Sequence, residues 1–241
     1  MSDLKRAAAY AIKPNELQRC GPADAYRRLH DFVRGDFKDE AAIREILRGF
    51  EVAYPYYTLI ARANGIEDAF DERVVEAYWL GNELLDKVSP EAVHQLIEAD
   101  VVREGWSKTQ IALMFGAIAL QKALPHHSLS VLYFLTRPGS RMILPEDIKT
   151  RADACRVCWG QVLGLTVAAL TVAYRPLVFD DNWGITLGPT IDKQIEWGLL
   201  TDVAVGDTVA FHLNWGVEKL TGRQAAHLDK YTRLTLQALG V

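Results

Sequence analysis

The sequence predicts an α+β fold in which an N-terminal α-helical domain, residues 1–150, precedes a small antiparallel β domain, residues 151–241, that ends in a helix. Two patterns predict this order. Apolar residues recur at helical spacing up to about residue 135, and from about residue 160 they alternate as strands with one buried face do. The segment "TRPGSRMILPED", rich in proline and glycine, lies between the two patterns and is typical of a loop at a domain boundary.

The helical half is expected to form a bundle of about five or six helices. One segment, "DEAAIREILRGF", has its apolar residues on one helical face. A second, "DERVVEAYWLGNELLDKV", begins at Asp71, a residue type that caps helices, and a third has Ser89 as its cap and Pro90 as its first helical residue. A fourth, "KTQIALMFGAIALQKAL", is too short to cross a bilayer, so we expect it to be a buried core helix.

The second half contains short runs rich in β-branched and aromatic residues, separated by Gly, Pro and Asp. These runs are "GQVLGL", "LTVAYRPLVF", "GITLGPTIDKQIEW" and "DTVAFHLNW". Short alternating strands between turn residues are typical of a small antiparallel barrel or sandwich, in which alternate side chains fill the interior. Thr221 and Gln224 then form a capping box, which predicts the start of a final helix.

Composition and charge exclude several classes of function. The chain has 241 residues, of which 49% are hydrophobic and 24% charged, and its net charge is -4, as is ordinary for a folded globular protein. Nucleic-acid binding requires a basic surface, so we expect no nucleic-acid partner. The N-terminus has no signal-peptide core, so we expect no membrane partner and a cytoplasmic protein with reduced cysteines. Nucleotide-binding and serine-hydrolase motifs are missing from the sequence.

Two of the three cysteines, Cys155 and Cys158, lie in a C-x-x-C spacing just before the first predicted strand. A structural zinc site would need further ligands, and the sequence has no second cysteine pair. A thioredoxin-like dithiol should open a helix, whereas a strand follows this pair. Zinc and a redox dithiol stay open as alternatives. Strand geometry favours one functional cysteine, Cys155, with Cys158 packed inward as a small apolar residue.

Two blocks of the second half carry a family pattern. In the first block, Cys155 is followed by Gly160 and the segment "GQV"; the second block reads "VGDTVAFHLNWGVEKLTGRQA". The family positions in the second block are Val205, Gly206, Asp207, His212, Lys219, Leu220 and Ala225. In both blocks the segment from Cys155 to Leu239 resembles the HypC/HupF family of nickel–iron hydrogenase maturation chaperones. The family's cysteine lies at the N-terminus of the mature chain, whereas Cys155 is internal.

The resemblance implies a small HypC-like, OB-like β-barrel in which Cys155 and His212 bind iron as an Fe(CN)2(CO) unit. It implies a hydrogenase maturation or assembly factor, a chaperone or scaffold rather than an enzyme, that handles this unit or its precursor. The implied partners are the hydrogenase large-subunit precursor and other maturation proteins. Thiolate and imidazole are suitable ligands for such iron. The first half, through "PNELQRCGP" and "RVVEAYWLGNELLD", also resembles an uncharacterised bacterial family found near hydrogenase genes.

The helical half offers three further candidate metal ligands, Cys20, His126 and His127. Cys20 precedes a Gly-Pro turn in "RCGP", and the two histidines open the apolar run "HHSLSVLYF". Because sulfur and imidazole bind iron, nickel and zinc, an alternative function is a metal-binding enzyme of the helical domain that supplies or modifies a diatomic ligand of iron. The competing interpretation is that the histidines cap a helix and Cys20 is buried packing. A third alternative is a scaffold without an iron-binding role.

Overall fold

The computed structural model describes residues 3–103, 107, 109, 123–136, 145–180 and 184–238. Within these residues the chain has the predicted mixed α+β fold, with helices first, then antiparallel sheets, then a C-terminal helix. Most of the predicted core helix at residues 108–124, and most of the predicted loop at residues 136–147, lie outside the described residues. No described helix has the length and apolarity needed to span a membrane.

The first half contains the helices α1 Asp3–Glu16, α2 Tyr26–Arg34, α3 Glu40–Arg48, α4 Ala53–Ala63, α5 Glu72–Trp79, a short 3-10 helix Glu83–Lys87, and α6 Pro90–Arg103. Two of these helices, α5 and α6, begin where the predicted capping residues Asp71 and Ser89 place them. The Asp71 side chain accepts a hydrogen bond from the N–H of Arg73 at 3.0 Å. The Ser89 hydroxyl accepts one from the N–H of Ala92 at 3.2 Å, and Pro90 is the first residue of α6. Both predicted caps are confirmed.

Two further helices, α7 His127–Thr136 and α8 Pro145–Cys155, precede the sheet. Helix α8 corrects the sequence analysis, which placed a loop at residues 136–147 and no helix between that loop and the first strand. Proline is well suited to the first position of a helix, because its missing N–H has no partner there in any case. Cys155 is therefore the last residue of a helix.

The second half contains the strands β1 Cys158–Leu165, β2 Leu170–Tyr174, β3 Leu177–Phe179, β4 Ile185–Leu187, β5 Ile191–Ile195, β6 Thr208–His212 and β7 Trp215–Lys219. Strand β1 begins two residues before its predicted run and β7 lies almost entirely beyond the last predicted run, whereas the other strands are shorter than the runs that predicted them. Two runs are divided, one at Pro176 and one at Pro189, because proline cannot donate to a strand ladder. Strands β3 and β4 pair by themselves, and the other five form an antiparallel sheet in the order β5-β2-β1-β6-β7.

The described residues do not form a closed barrel. The edge strands of the sheet, β5 and β7, meet only at one end, through a bridge between Glu196 and Trp215. There the N–H of Glu196 donates to the carbonyl of Asn214 at 2.8 Å, and the N–H of Gly216 donates to the carbonyl of Glu196 at 3.0 Å. The five strands therefore pair antiparallel, and a parallel bridge joins the two edges of the sheet at one end.

The C-terminal helix α9, Gly222–Ala238, begins with the predicted capping box. The N–H of Gln224 donates to the Thr221 hydroxyl at 3.2 Å, and the N–H of Thr221 donates to the Gln224 side-chain oxygen at 3.0 Å. These two bonds satisfy backbone donors that the first turn of a helix otherwise leaves unpaired.

The largest apolar core cluster draws on both halves of the chain. It includes Ala8 of α1, Val75 of α5, Val217 of β7 and Leu228 of α9. A buried ion pair also joins the halves, since the guanidinium Nε of Arg6 in α1 lies 3.0 Å from the carboxylate of Glu218 in β7. The predicted domain boundary between residues 150 and 151 stays a prediction.

Candidate functional site

A cavity of about 510 Å³ contains four of the five predicted site residues: Cys20, His127, Cys155 and His212. They come from the loop after α1, the start of α7, the end of α8 and the end of β6. The complete described lining is Ala11, Pro14, Gln18, Arg19, Cys20, Phe50, Val52, Ala53, Tyr78, Trp79, His127, Ser130, Val131, Arg151, Cys155 and His212. Groups that are far apart in the sequence therefore share one site.

Backbone pairing brings Cys155 and His212 to the same cavity. In the register of β1 and β6, Cys158 lies opposite the residue that precedes His212. Beyond the end of β6, the N–H of Leu213 donates to the carbonyl of Ala154 at 2.9 Å. The passage from α8 into β1 therefore lies directly against the end of β6.

The His212 side chain is buried and held by the backbone of α1. Its Nδ1 lies 3.2 Å from the carbonyl oxygen of Tyr10. Because a carbonyl only accepts hydrogen bonds, Nδ1 carries the hydrogen in this contact. Burial lowers the pKa of His212 to about 4, although hydrogen bonds to the backbone of Tyr10 and of Cys155 raise it. The ring is neutral at pH 7, and Nε2 is then the nitrogen whose lone pair can bind a metal.

The loop after α1 is fastened by the buried side chain of Asn15. The side-chain nitrogen of Asn15 donates to the carbonyl of Cys20 at 2.9 Å and to that of Pro22 at 2.7 Å. Its side-chain oxygen accepts from the N–H of Tyr26 at 2.7 Å. A buried amide with three hydrogen bonds holds this backbone in one conformation. The loop therefore presents Cys20 and Arg19 at fixed positions on the cavity.

The two cavity cysteines differ in their surroundings. Burial, with a smaller contribution from the nearby Cys155, raises the pKa of the Cys20 thiol to about 12. Cys20 is therefore a neutral thiol at pH 7. Cys155 is half-buried, and its sulfur accepts a hydrogen bond from Nη1 of Arg19 at 3.0 Å. Arg151, one helical turn before Cys155 in α8, lines the same cavity.

His127 lies in the cavity wall between two aromatic neighbours. Its ring centroid is 4.4 Å from that of Trp79 and 5.1 Å from that of His212. Burial lowers the pKa of His127 well below its ordinary value, so the imidazole is neutral. Its Nδ1 is buried and has no hydrogen-bond partner within the part of the chain that the structure describes. An unpaired buried nitrogen is costly and is therefore a candidate ligand group.

His126, the fifth predicted site residue, lies outside the cavity lining. Its Nδ1 accepts a hydrogen bond from the N–H of Ser128 at 3.3 Å, at the first turn of α7. Burial lowers the pKa of His126 to about 3. The interpretation as a helix cap thus applies to His126, whereas the adjacent His127 lines the cavity.

Cys158 packs inward, as predicted. It is the first residue of β1 and 2% exposed, and its sulfur lies 3.3 Å from the carbonyl of Asp153. Burial raises the pKa of its thiol to about 12. Because Cys155 ends a helix and Cys158 begins a strand, neither cysteine opens a helix as a thioredoxin-like dithiol should.

The cavity is a site for a soft ligand set rather than a preformed metal cage. Within the described ranges, no group of three or more His, Cys, Asp or Glu side chains is arranged to hold a metal ion. The cavity offers sulfur and imidazole nitrogen between apolar walls that include Phe50, Val52 and Trp79. Sulfur and imidazole nitrogen are donors that suit transition metals better than hard cations such as Mg²⁺ or Ca²⁺.

Sequence reasoning missed the residues that position or surround the candidate ligands. Asn15 and Arg19 lie in the segment "PNELQRCGP", where Cys20 alone was selected. Arg151 precedes Cys155 by one helical turn, a signal that could not be used because α8 was not predicted. Trp79 was not selected either; it is 4% exposed and forms a wall of the cavity.

Comparison of the whole chain with known proteins adds one relationship. Searches of curated proteins and of solved structures give no match. The sequence pattern of a family of unknown function, DUF6390, matches residues 4–240, which include both the helices and the sheet. The chain therefore belongs to the DUF6390 family.

Proposed function

We propose that this protein is an assembly factor for a nickel–iron hydrogenase and that it carries an Fe(CN)2(CO) unit, or its precursor, as cargo. The observation that supports this best is the shared cavity of Cys155 and His212. These are the two residues at which the sequence resembles the iron-handling positions of the HypC/HupF chaperones. Cys155 and His212 lie in separate sequence blocks. They can bind the same iron unit only if the fold brings both side chains to one cavity.

The chemistry of the cavity suits this cargo. An iron atom that already carries two cyanides and one carbon monoxide needs at most three more ligands, so a pair of protein donors is sufficient to hold it. Cys155 supplies sulfur, and the neutral ring of His212 supplies a nitrogen lone pair. The apolar side chains of Phe50 and Trp79 limit the access of water to the diatomic ligands.

In this proposal the five-stranded sheet corresponds to the small barrel of the HypC/HupF family. The bridge between Glu196 and Trp215, which joins the two edges of the sheet at one end, supports the correspondence. Helix α9, which follows β7, corresponds to the family's final helix.

The helical half forms the opposite wall of the same site. Cys20 and His127, from the helical half, line the cavity together with Cys155 and His212. The arrangement thus favours one cargo site that both halves enclose.

The test is to purify the tagged protein from cells that produce the hydrogenase maturation proteins and the large-subunit precursor. We expect bound iron, infrared bands of carbon monoxide and cyanide, and copurified precursor. Cys155→Ala should abolish the infrared bands. Cys158→Ala, which alters the other cysteine of the C-x-x-C pair, is the matched control and should keep them.

A double variant, Cys155→Ala with His212→Ala, decides the proposal. If this variant binds the precursor, carries the infrared bands and supports hydrogenase maturation as the unaltered protein does, the proposed role is wrong. Circular dichroism of each variant shows whether the fold is retained.

A further inference from the structure

The charge of the cavity lining differs from that of the whole chain. The chain carries 31 acidic and 27 basic residues. The described cavity lining contains two arginines, Arg19 and Arg151, and no Asp or Glu. The described lining of this cavity therefore carries net positive charge, although the chain as a whole is acidic.

The two arginines lie where a ligand would enter. Both side chains are exposed, whereas the histidines deeper in the cavity are buried. Arg19 donates to the Cys155 sulfur at 3.0 Å, and the loop that carries it is held by Asn15. Within the described ranges, no ion pair joins Arg19 or Arg151 to a carboxylate. A guanidinium that stays charged and is not neutralised by a carboxylate is a typical anion-binding group.

We propose that the cavity admits its ligand as a small anion, which Arg19 and Arg151 attract and orient beside the sulfur of Cys155. The identification of this anion as a cyanide-bearing iron complex rests on the proposed function, since cyanide nitrogen accepts hydrogen bonds from guanidinium groups. The preference for an anion rests on the charges of the lining and is independent of iron.

The charge preference is measurable through alkylation of Cys155 in the full chain. Iodoacetate is anionic and iodoacetamide is neutral. In both reactions the cysteine sulfur loses its proton to solvent and displaces iodide from a CH2 carbon, which leaves a carboxymethyl or a carbamidomethyl thioether. The normalised ratio is the rate constant of Cys155 with iodoacetate over that with iodoacetamide, divided by the same quotient for glutathione. This normalised ratio reports the electrostatic potential at Cys155. One positive charge about 6 Å from the reacting carbon should raise this ratio roughly threefold in water at low salt. Peptide mapping separates Cys155 from Cys20 and Cys158.

We expect a normalised ratio of roughly three to ten for the unaltered protein, falling toward one as salt screens the arginines. Arg19→Gln together with Arg151→Gln should bring the ratio close to one, and Arg19→Lys should retain most of the preference. The matched control is Arg223→Gln, an exposed arginine of α9 that does not line the cavity. A ratio at or below one in the folded protein, or an unchanged ratio in the double variant, would overturn the proposal.

A second measurement identifies the kind of anion. Ferrocyanide, a compact iron–cyanide anion, should slow the reaction of Cys155 with neutral iodoacetamide in the unaltered protein and not in the double arginine variant. Sulfate at equal ionic strength is the comparison. Equal protection by both anions would support the anion site and count against the iron–cyanide cargo, and no protection by either would overturn the anion site.

Discussion

The guanidinium Nη1 of Arg19 lies 3.0 Å from the sulfur of Cys155, although Arg19 belongs to the loop after α1 and Cys155 is the last residue of α8. The contact joins the helical half to the residue that leads into the sheet. Changes in the conformation of the loop should therefore alter the surroundings of Cys155. The first two predictions alter residues that hold this loop, and the second of them measures the effect on Cys155.

Gly21 holds the loop against the helical core, and its replacement by alanine should be strongly destabilising. Its φ is +82°, and an added Cβ would lie 2.4 Å from the ring of Phe50. Gly35 is a matched control, since its φ is +90° and an added Cβ would meet nothing within 4 Å. We expect Gly35→Ala to lower the free energy of unfolding by about 1 kcal/mol, from backbone strain alone. Gly21→Ala should cost about 2–4 kcal/mol, because steric overlap adds to that strain.

Urea denaturation of the two glycine variants measures this difference. Equal losses of unfolding free energy in both would show that the contact between position 21 and the Phe50 ring does not constrain the loop.

Asn15→Ala should both destabilise the protein and alter Cys155. The change leaves the carbonyls of Cys20 and Pro22 and one backbone N–H without their partner, which we expect to cost about 2–3 kcal/mol of unfolding free energy. It should also reduce the iodoacetate preference of Cys155, because Arg19 is no longer held in place.

Asn64→Ala provides the control for Asn15. Asn64 also donates to two carbonyls, those of Ile60 and Leu84, but its loop does not line the cavity. The Asn64→Ala variant should have a lower free energy of unfolding and an unchanged iodoacetate-to-iodoacetamide ratio at Cys155. If the Asn15 and Asn64 variants affect that ratio equally, Asn15 has no positioning role.

The protein should lose stability as the pH falls below about 6.5. The pKa of folded His126 is about 3 and that of folded His212 about 4, and the pKa of His127 is also well below its ordinary value, in each case through burial. An unfolded histidine has a pKa of about 6.5, so below that pH the unfolded chain binds protons that the folded chain does not. Each such histidine lowers stability by up to about 1.4 kcal/mol per pH unit.

The slope of unfolding free energy between pH 6.5 and pH 5, from urea titrations, measures this linkage. Three histidines should give up to about 4 kcal/mol per pH unit, and His126→Gln should reduce the slope by about one third. A slope that this substitution leaves unchanged would contradict the buried, neutral state of His126.

The ion pair between Arg6 and Glu218 should stabilise the junction of the two halves. Both side chains are buried, so Glu218→Gln removes the nearest carboxylate of a buried guanidinium, which keeps its contact to Glu76 at 3.2 Å, and should cost about 1.5–3 kcal/mol. Lys13 and Glu196 form a second pair between α1 and the sheet half, at 3.3 Å, but Glu196 is exposed. Glu196→Gln should therefore cost less than about 1 kcal/mol.

Thermal unfolding followed both by far-UV circular dichroism and by tryptophan fluorescence tests the same junction. We expect the two probes to give one transition for the unaltered protein, because the core cluster is common to both halves. Two separate transitions, with only one of them shifted by Glu218→Gln, would instead support independent domains at the predicted boundary.

The elements that depend on local sequence could be predicted from it. Asp71, Ser89 and the pair Thr221 and Gln224 cap helices as their residue types predict, because a cap is an interaction between neighbours in the chain. Helix α8 was not predicted, since the prolines around it were interpreted as part of a loop. The barrel was not confirmed, since closure depends on contacts between strands that are distant in sequence.

The sequence by itself determined the order of helices and strands, the caps, and the set of sulfur and imidazole groups from which a site could be built. Only the tertiary structure decided which of these groups meet. His126 and His127 are adjacent, but successive residues of a helix point about 100° apart, so one caps α7 and the other lines the cavity. Arg19 and Cys155 meet because long-range packing, which no local pattern encodes, brings the loop after α1 to the end of α8.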